Sequence, residues 1–288
     1  MPGTIDIWHQ PYTPEMMRRC YIDDEEQRKV TEWWGLTERV QGRSPEVFIA
    51  DMDRWGIDKV LIPSLQIRSF VHQRVQWSFG ADEIHALVRG YPERLYGLFG
   101  IDPHARMSGV RELERAVREL GFVGAHLHPY GFELPVDHRR YYPFYAKCTE
   151  LDVPVVMQIG HSAEAMPSEC GRPMLVDTIA LDFPDLRIVC AHTGWPWVEE
   201  LIAVAWKHPN VFIATTAHAP RYWKPELVSF LNTSRGIGKV MYGSDFPVLD
   251  WPGSLEQIEQ LGLRPEAKSQ LLEGAARTVF KFRASETP

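Results

Sequence analysis

The chain has 288 residues, 44% of them hydrophobic and 24% charged, with a formal net charge of −7. That balance supports a large buried core and excludes the basic face that a nucleic-acid partner requires. No apolar run reaches the ~20 residues of a membrane span, and the opening Met-Pro-Gly-Thr-Ile-Asp carries neither the basic nor the apolar part of a signal peptide, so a cytoplasmic protein with no membrane partner is expected.

The first apolar run, Thr4–Trp8, opens a series of eight, continued by Lys59–Ser64, Leu95–Ile101, Phe122–His128, Val153–Ile159, Arg187–His192, Asn210–Thr215 and Lys239–Ser244. These runs are rich in Val, Ile and Leu and nearly continuous, as strands buried on both faces are. After the first run the chain turns polar and aromatic over 11–45, with Tyr12, Tyr21, Trp33 and Trp34, before a helix predicted over Pro45–Trp55. An insertion of that length in a compact domain reads as a lid or a homodimer contact. Amphipathic helices are predicted over Ser108–Leu120, Arg140–Leu151, Pro173–Leu181, Trp197–Lys207 and Lys224–Leu231. Gly121 stands where a helix-ending glycine belongs.

Strands alternating with helices imply βαβ units and a parallel sheet. Eight of them imply a single-domain (β/α)8 TIM barrel over 1–283, followed by a tail over 284–288; an open doubly wound sheet is the rival arrangement. Cys20, Cys148, Cys170 and Cys190 form no CxxC pair and read as reduced thiols.

In a parallel barrel the chemistry sits at the carboxyl ends of the strands. There the sequence places Trp8-His9-Gln10, His126-Leu127-His128, Gln158-Ile159-Gly160-His161, His192-Thr193-Gly194-Trp195 and Ser244-Asp245-Phe246. Side chains alternate along a strand, so Trp8 and Gln10 share one face and His9 takes the other. His126 and His128 likewise share a face, turned into the barrel mouth if Ala125 and Leu127 meet the helices. A carboxylate such as Asp245, just after a buried strand, is costly unless paired, metal-bound or catalytic. Asp245, His192, His126 and His128 are the candidate catalytic residues, with hydrogen-bonded structural histidines as the plain alternative for the pair on the fourth strand.

Together these residues resemble the amidohydrolase superfamily, in its amidohydrolase-related branch. The best-matched stretches are GRPMLVDTIALDFPDLRIVCAHTGWPW (Gly171–Trp197), VMYGSDFP (Val240–Pro247) and LLEGAARTVF (Leu271–Phe280). The resemblance implies an HxH pair on the first strand, one histidine each after the fifth and sixth strands, and an aspartate after the eighth. The last two are His192 and Asp245. The first pair falls on Trp8 and Gln10, and the fifth-strand histidine on Gln158, none of which is a good metal ligand. Two readings follow: no cofactor, with Asp245 as general base on water; or one divalent metal, zinc foremost, on His192 and Asp245 with help from His126, His128 or His161.

For a small-molecule substrate, the candidate binding residues are Trp8, Gln10, Gln158, His161, Arg172, Trp195, Tyr222 and Phe246. Arg172 and Arg221 are read as carboxylate clamps, and His218 as a further residue near the mouth. The leading expectation is a hydrolase of a lactone, ester or amide in a cyclic or aromatic-derived acid. The alternatives are a metal-dependent non-oxidative decarboxylase of an aromatic or muconate-type acid, and a ligand-binding relative without catalysis.

Overall fold

Ten strands form two sheets in the computed structural model, which describes residues 3–282, so the tail expected over 284–288 lies outside the described residues. In chain order they are β1 (Thr4–Asp6), β2 (Ile57–Pro63), β3 (Leu65–Arg68), β4 (Val75–Phe79), β5 (Leu95–Gly100), β6 (Gly124–Leu127), β7 (Val155–Gln158), β8 (Ile188–Ala191), β9 (Val211–Ala214) and β10 (Val240–Met241). Eight pair in parallel in the order β1-β2-β5-β6-β7-β8-β9-β10, with helices around them. The sheet curls on itself: Ile7 donates its backbone N–H to Tyr242 O (3.2 Å), and Asp245 donates to Trp8 O (2.8 Å). This is the TIM barrel expected from the pattern, in one domain, and it displaces the open-sheet rival.

The eight strands lie where the apolar runs place them, but most ladders stop short. The expected strand Lys239–Ser244 keeps ladder pairing only at Val240 and Met241. Beyond that point side chains also take up backbone groups: the carboxylate of Asp6 accepts from Ser244 N (2.8 Å) and Trp8 N (3.2 Å). The strand ends thus leave the ladder to present polar groups at the mouth.

Alternation sorts the core. Ala125, Leu127, Val155 and Met157 pack outward against the helices, while Val156, Val189, Ala191 and Ala214 fill the barrel interior. His126 and Gln158 occupy the inward positions of β6 and β7, as the strand period requires. The helix expected over Ser108–Leu120 runs from Arg106 to Arg118, burying Val110, Leu113 and Ala116, and Gly121 follows at φ 72°.

The 11–45 segment is ordered. It builds α1 (Pro14–Tyr21), capped by Thr13 Oγ1 accepting from Met16 N, and α2 (Glu25–Trp33), capped by Asp24 accepting from Glu26 N and Gln27 N. Arg39 ties it to the barrel through Asp250 (2.8 Å) and Val248 O (2.9 Å). The antiparallel β3–β4 hairpin escaped the sequence reading, because β3 follows β2 after one residue and reads as its continuation. The hairpin meets α2 through the Arg74–Asp24 ion pair and through Ser69 Oγ donating to Glu26 Oε2 (2.7 Å).

Candidate active site

A cavity of about 380 Å³ opens at the carboxyl ends of the strands, beneath α1, α2 and the hairpin. Its lining comes from three sources. Trp8, Gln10, Gln158, His161, His192, His218 and Asp245 come from strand ends and the loops that follow them; Tyr21, Gln27 and Trp34 come from the 11–45 segment; Leu65, Ile67 and Trp77 come from the hairpin. The size fits a small molecule, and apolar walls with few polar groups are usual for such sites.

Asp245 sits where β10 gives way to its loop, in a left-handed backbone conformation (φ 50°). His192 (φ 63°) and Ala217 (φ 64°), just beyond β8 and β9, share it. Each such non-glycine residue costs on the order of 1–3 kcal/mol, and strain of this kind collects at functional sites. Gly160 (φ 113°) serves β7: a Cβ there would stand 2.5 Å from Trp195 O, so only glycine lets the chain pass and set His161 in the cavity wall.

Asp245 is half-buried in the cavity wall. Its Oδ1 accepts from Gln10 Nε2 (2.8 Å). Burial raises its pKa well above 3.8, Gln10 pulls the other way, and the charges of Glu164 and Asp6 push it further up. The balance of these effects favours the protonated form of Asp245. His192 is positioned by Thr216, whose Oγ1 accepts from His192 N (2.9 Å) and lies 3.0 Å from Nδ1. Burial lowers its pKa to about 3, so the ring is neutral. His126 and His128 are neutral for the same reason.

His126 and His128 lie behind the lining. His126 stands edge-on to the Trp8 indole at 4.4 Å between ring centres, and its Nε2 is 3.5 Å from Gln158 Nε2. Both ring nitrogens of His128 lack a hydrogen-bond partner. His9 turns away from the cavity, as alternation requires, and stacks on Phe246 at 4.8 Å.

Four expected binding residues do not line the cavity. Arg172 lies across the Trp197 ring and pairs with Glu200 through Nε (2.9 Å) and Nη2 (2.6 Å), so its fork is already occupied. Phe246 packs between His9 and Arg43, and Tyr222 is 66% exposed beneath Arg221. Arg221 is thus no clamp in the cavity either. Trp195 buttresses His161 edge-on at 4.6 Å from outside the lining.

The residues present do not fit a metal centre. Trp8 and Gln10 replace the first-strand pair and Gln158 the fifth-strand histidine. The Gln10 amide aims an N–H, not a lone pair, at Asp245 Oδ1, and Nδ1 of His192 faces Thr216. Among the described residues no group of three or more His, Cys, Asp or Glu side chains is arranged to hold a metal ion. The Trp8 ring stands against both His126 and His192, 4.9 Å from the latter, and so separates His126 from His192.

Other contributors were not read from the sequence. Asp6 is wholly buried and accepts from the Ser244 hydroxyl and from Trp251 Nε1 (2.8 Å), closing β1 onto β10. Its position inside an apolar strand was the available signal. Thr216, Glu164 and Trp77 of the hairpin carry no local signature, whereas Tyr21 and Trp34 belong to the aromatic 11–45 segment expected as a lid.

The amidohydrolase family model matches residues 5–282. A 2-keto-4-carboxy-3-hexenedioate hydratase from Sphingobium sp. is 35% identical over 140 residues, a match covering 42% of this chain and 41% of that protein. A gamma-resorcylate decarboxylase from Polaromonas sp. is 23% identical over 80% of this chain and 85% of that protein. Among solved structures, an uncharacterized TIM-barrel protein from Bordetella bronchiseptica superposes with a TM-score of 0.78 at 22% identity, covering 96% of this chain and 97% of that one. A 5-carboxyvanillate decarboxylase from Novosphingobium aromaticivorans, solved with manganese, superposes at 0.67 and 18% identity, with 96% of each chain covered. No helix among the described residues is long and apolar enough to cross a membrane. A barrel of eight parallel strands, His192 and Asp245 at its mouth, and a family match over nearly the whole chain converge: the protein belongs to the amidohydrolase family, in its amidohydrolase-related branch.

Proposed function

We propose that this protein is a lyase that removes carbon dioxide from a small planar carboxylic acid, with Asp245 as the proton donor. The observation that carries the reading is the Asp245 carboxyl itself. It faces an aromatic-walled cavity, half-buried, with Gln10 as its side-chain hydrogen-bond partner and no lysine or arginine in the lining among the described residues.

The substrate ring lies between the aromatic walls. Its carboxylate takes hydrogen bonds from the Gln158 amide and the imidazoles of His192 and His161. Asp245 delivers its proton to the carbon that bears the carboxylate. The bond to the carboxylate carbon then breaks, its electron pair returns to the ring, and carbon dioxide leaves. The negative charge ends on Asp245, where the Gln10 N–H stabilises it until solvent restores the proton. A proton donor placed in this way contributes about 10²–10⁴-fold.

The hydrolytic expectation is less well supported. Activating water requires Asp245 as a carboxylate before the reaction, whereas desolvation favours its protonated form. The named relatives are a hydratase and decarboxylases. The chemistry is written without a metal because the side chains do not form a metal site.

The test is carbon dioxide release from carboxyl-labelled hydroxybenzoates and muconate-type acids, with and without a chelator. Label in carbon dioxide, unaffected by the chelator, is the expected result. Hydrolysis of lactones, esters or amides with no labelled carbon dioxide would overturn the proposal.

A further inference from the structure

The cavity has an unusual charge balance. Among the described residues, neither lysine nor arginine lines it. Five aromatic side chains do: Trp8, Tyr21, Trp34, Trp77 and Tyr130. Among them stands Glu164, on the loop after β7, also part of the lining. Its carboxylate accepts from Ser162 Oγ (2.9 Å) and has no ion-pair partner among the described residues. Its charge is felt across the cavity, at Tyr21, Tyr130, His128 and Asp245.

A charge in a partly desolvated site calls for an opposite charge. The protein supplies none here, so a ligand is the remaining source. Aromatic faces attract cations through their ring quadrupoles, and aromatic cages are a recurrent device for binding ammonium groups. A ligand with a second anionic group would meet Glu164 without compensation. A neutral ligand would cover the half-buried carboxylate and leave it without a counter-charge.

We propose that the cavity recognises a zwitterion: an aryl carboxylic acid bearing a basic nitrogen, whose cation lies between the aromatic walls and Glu164. The carboxylic acid half of this inference rests on the function proposed above; the nitrogen half rests on Glu164 and the aromatic walls alone. Glu164 then acts as the specificity-determining residue, and Asp245 remains the proton donor at the other end of the ligand.

The test is calorimetric titration of the full chain with three ligands of one frame: 4-(aminomethyl)benzoate, 4-(hydroxymethyl)benzoate and benzene-1,4-dicarboxylate. The amine is expected to bind about tenfold or more tightly than the alcohol, and the dicarboxylate most weakly. Glu164→Gln should bring the amine and the alcohol level, while Glu164→Asp, which keeps the charge, should retain the preference. Equal affinities in the wild type, an unchanged preference in Glu164→Gln, or binding of none of the three would overturn the proposal. Because binding is read without turnover, the two readings fail separately. A nitrogen preference without carbon dioxide release removes the decarboxylation and keeps the ligand class; release from nitrogen-free acids with no preference does the reverse.

Discussion

Gln10 Nε2 donates to Asp245 Oδ1 at 2.8 Å, joining residues 235 positions apart at the seam where the barrel closes. The bond favours the ionised carboxylate, while burial and neighbouring charge favour the protonated form and prevail. Asp245→Asn is expected to lower kcat by about 10²–10⁴-fold with ligand affinity nearly unchanged. Gln10→Leu removes the opposing pull, so the alkaline limb of the kcat profile should move to higher pH. Full turnover by Asp245→Asn would remove the residue from the mechanism.

The buried histidines set the response to acid. Burial lowers His9 and His192 to about 3 and His218 to about 4, and lowers His126 and His128 as well. The unfolded chain protonates these rings below about pH 6.5 and the folded chain does not, so stability falls as the pH drops through that value. Asp6, raised by burial to about 6, and Asp245 work in the other direction, since the fold holds protons there that the unfolded chain releases above about pH 4. Five histidines outweigh two carboxyls, so stability is expected to fall as the pH drops below about 6.5. Denaturant unfolding at pH 7, 6 and 5 measures this, and His128→Gln should make the fall shallower. A flat profile over that range contradicts the neutral-histidine assignment.

Thr216 is wholly buried and is the hydroxyl that positions His192. Thr216→Val keeps the shape and removes the bond. The expected cost is about 1–3 kcal/mol of stability, with a fall in kcat larger than any rise in KM. A variant with wild-type kinetics shows that His192 needs no such support.

Metal affinity is decided by three side chains. After incubation with manganese and gel filtration, the wild-type protein should retain far less than one ion per chain. The triple variant Trp8→His, Gln10→His, Gln158→His supplies the missing ligands and should retain close to one. Stoichiometric manganese in the wild type would refute the reading of the site, whatever its activity.

Asp24 is nearly buried, and Arg74 of the hairpin is its cation. Arg74→Ala leaves that carboxylate unpaired and loosens the roof that brings Tyr21, Gln27, Trp34 and Trp77 to the cavity. KM should rise more than kcat falls. Equal affinity and turnover in the variant show that this ion pair does not hold the roof in place.

Local pattern in the chain determined a good deal. Apolar runs alternating with amphipathic segments specify parallel strands and helices, and strand period 2 alone puts Trp8, Gln10, His126 and Gln158 on inward faces. Asp245 was conspicuous because an acid after a buried strand needs a reason. Tertiary structure decided what those groups can do. Arg172 looked like a clamp until Glu200, 28 positions away, took its fork. Glu164 looked like any loop acid until the fold set it in a cavity lined by five aromatic side chains and, among the described residues, no lysine or arginine. The upward shift of Asp245 follows from desolvation and from the charges of distant segments, Glu164 and Asp6 included. Periodicity is a property of neighbours in sequence, whereas desolvation and charge pairing belong to neighbours in space, and only the closed barrel brings those together.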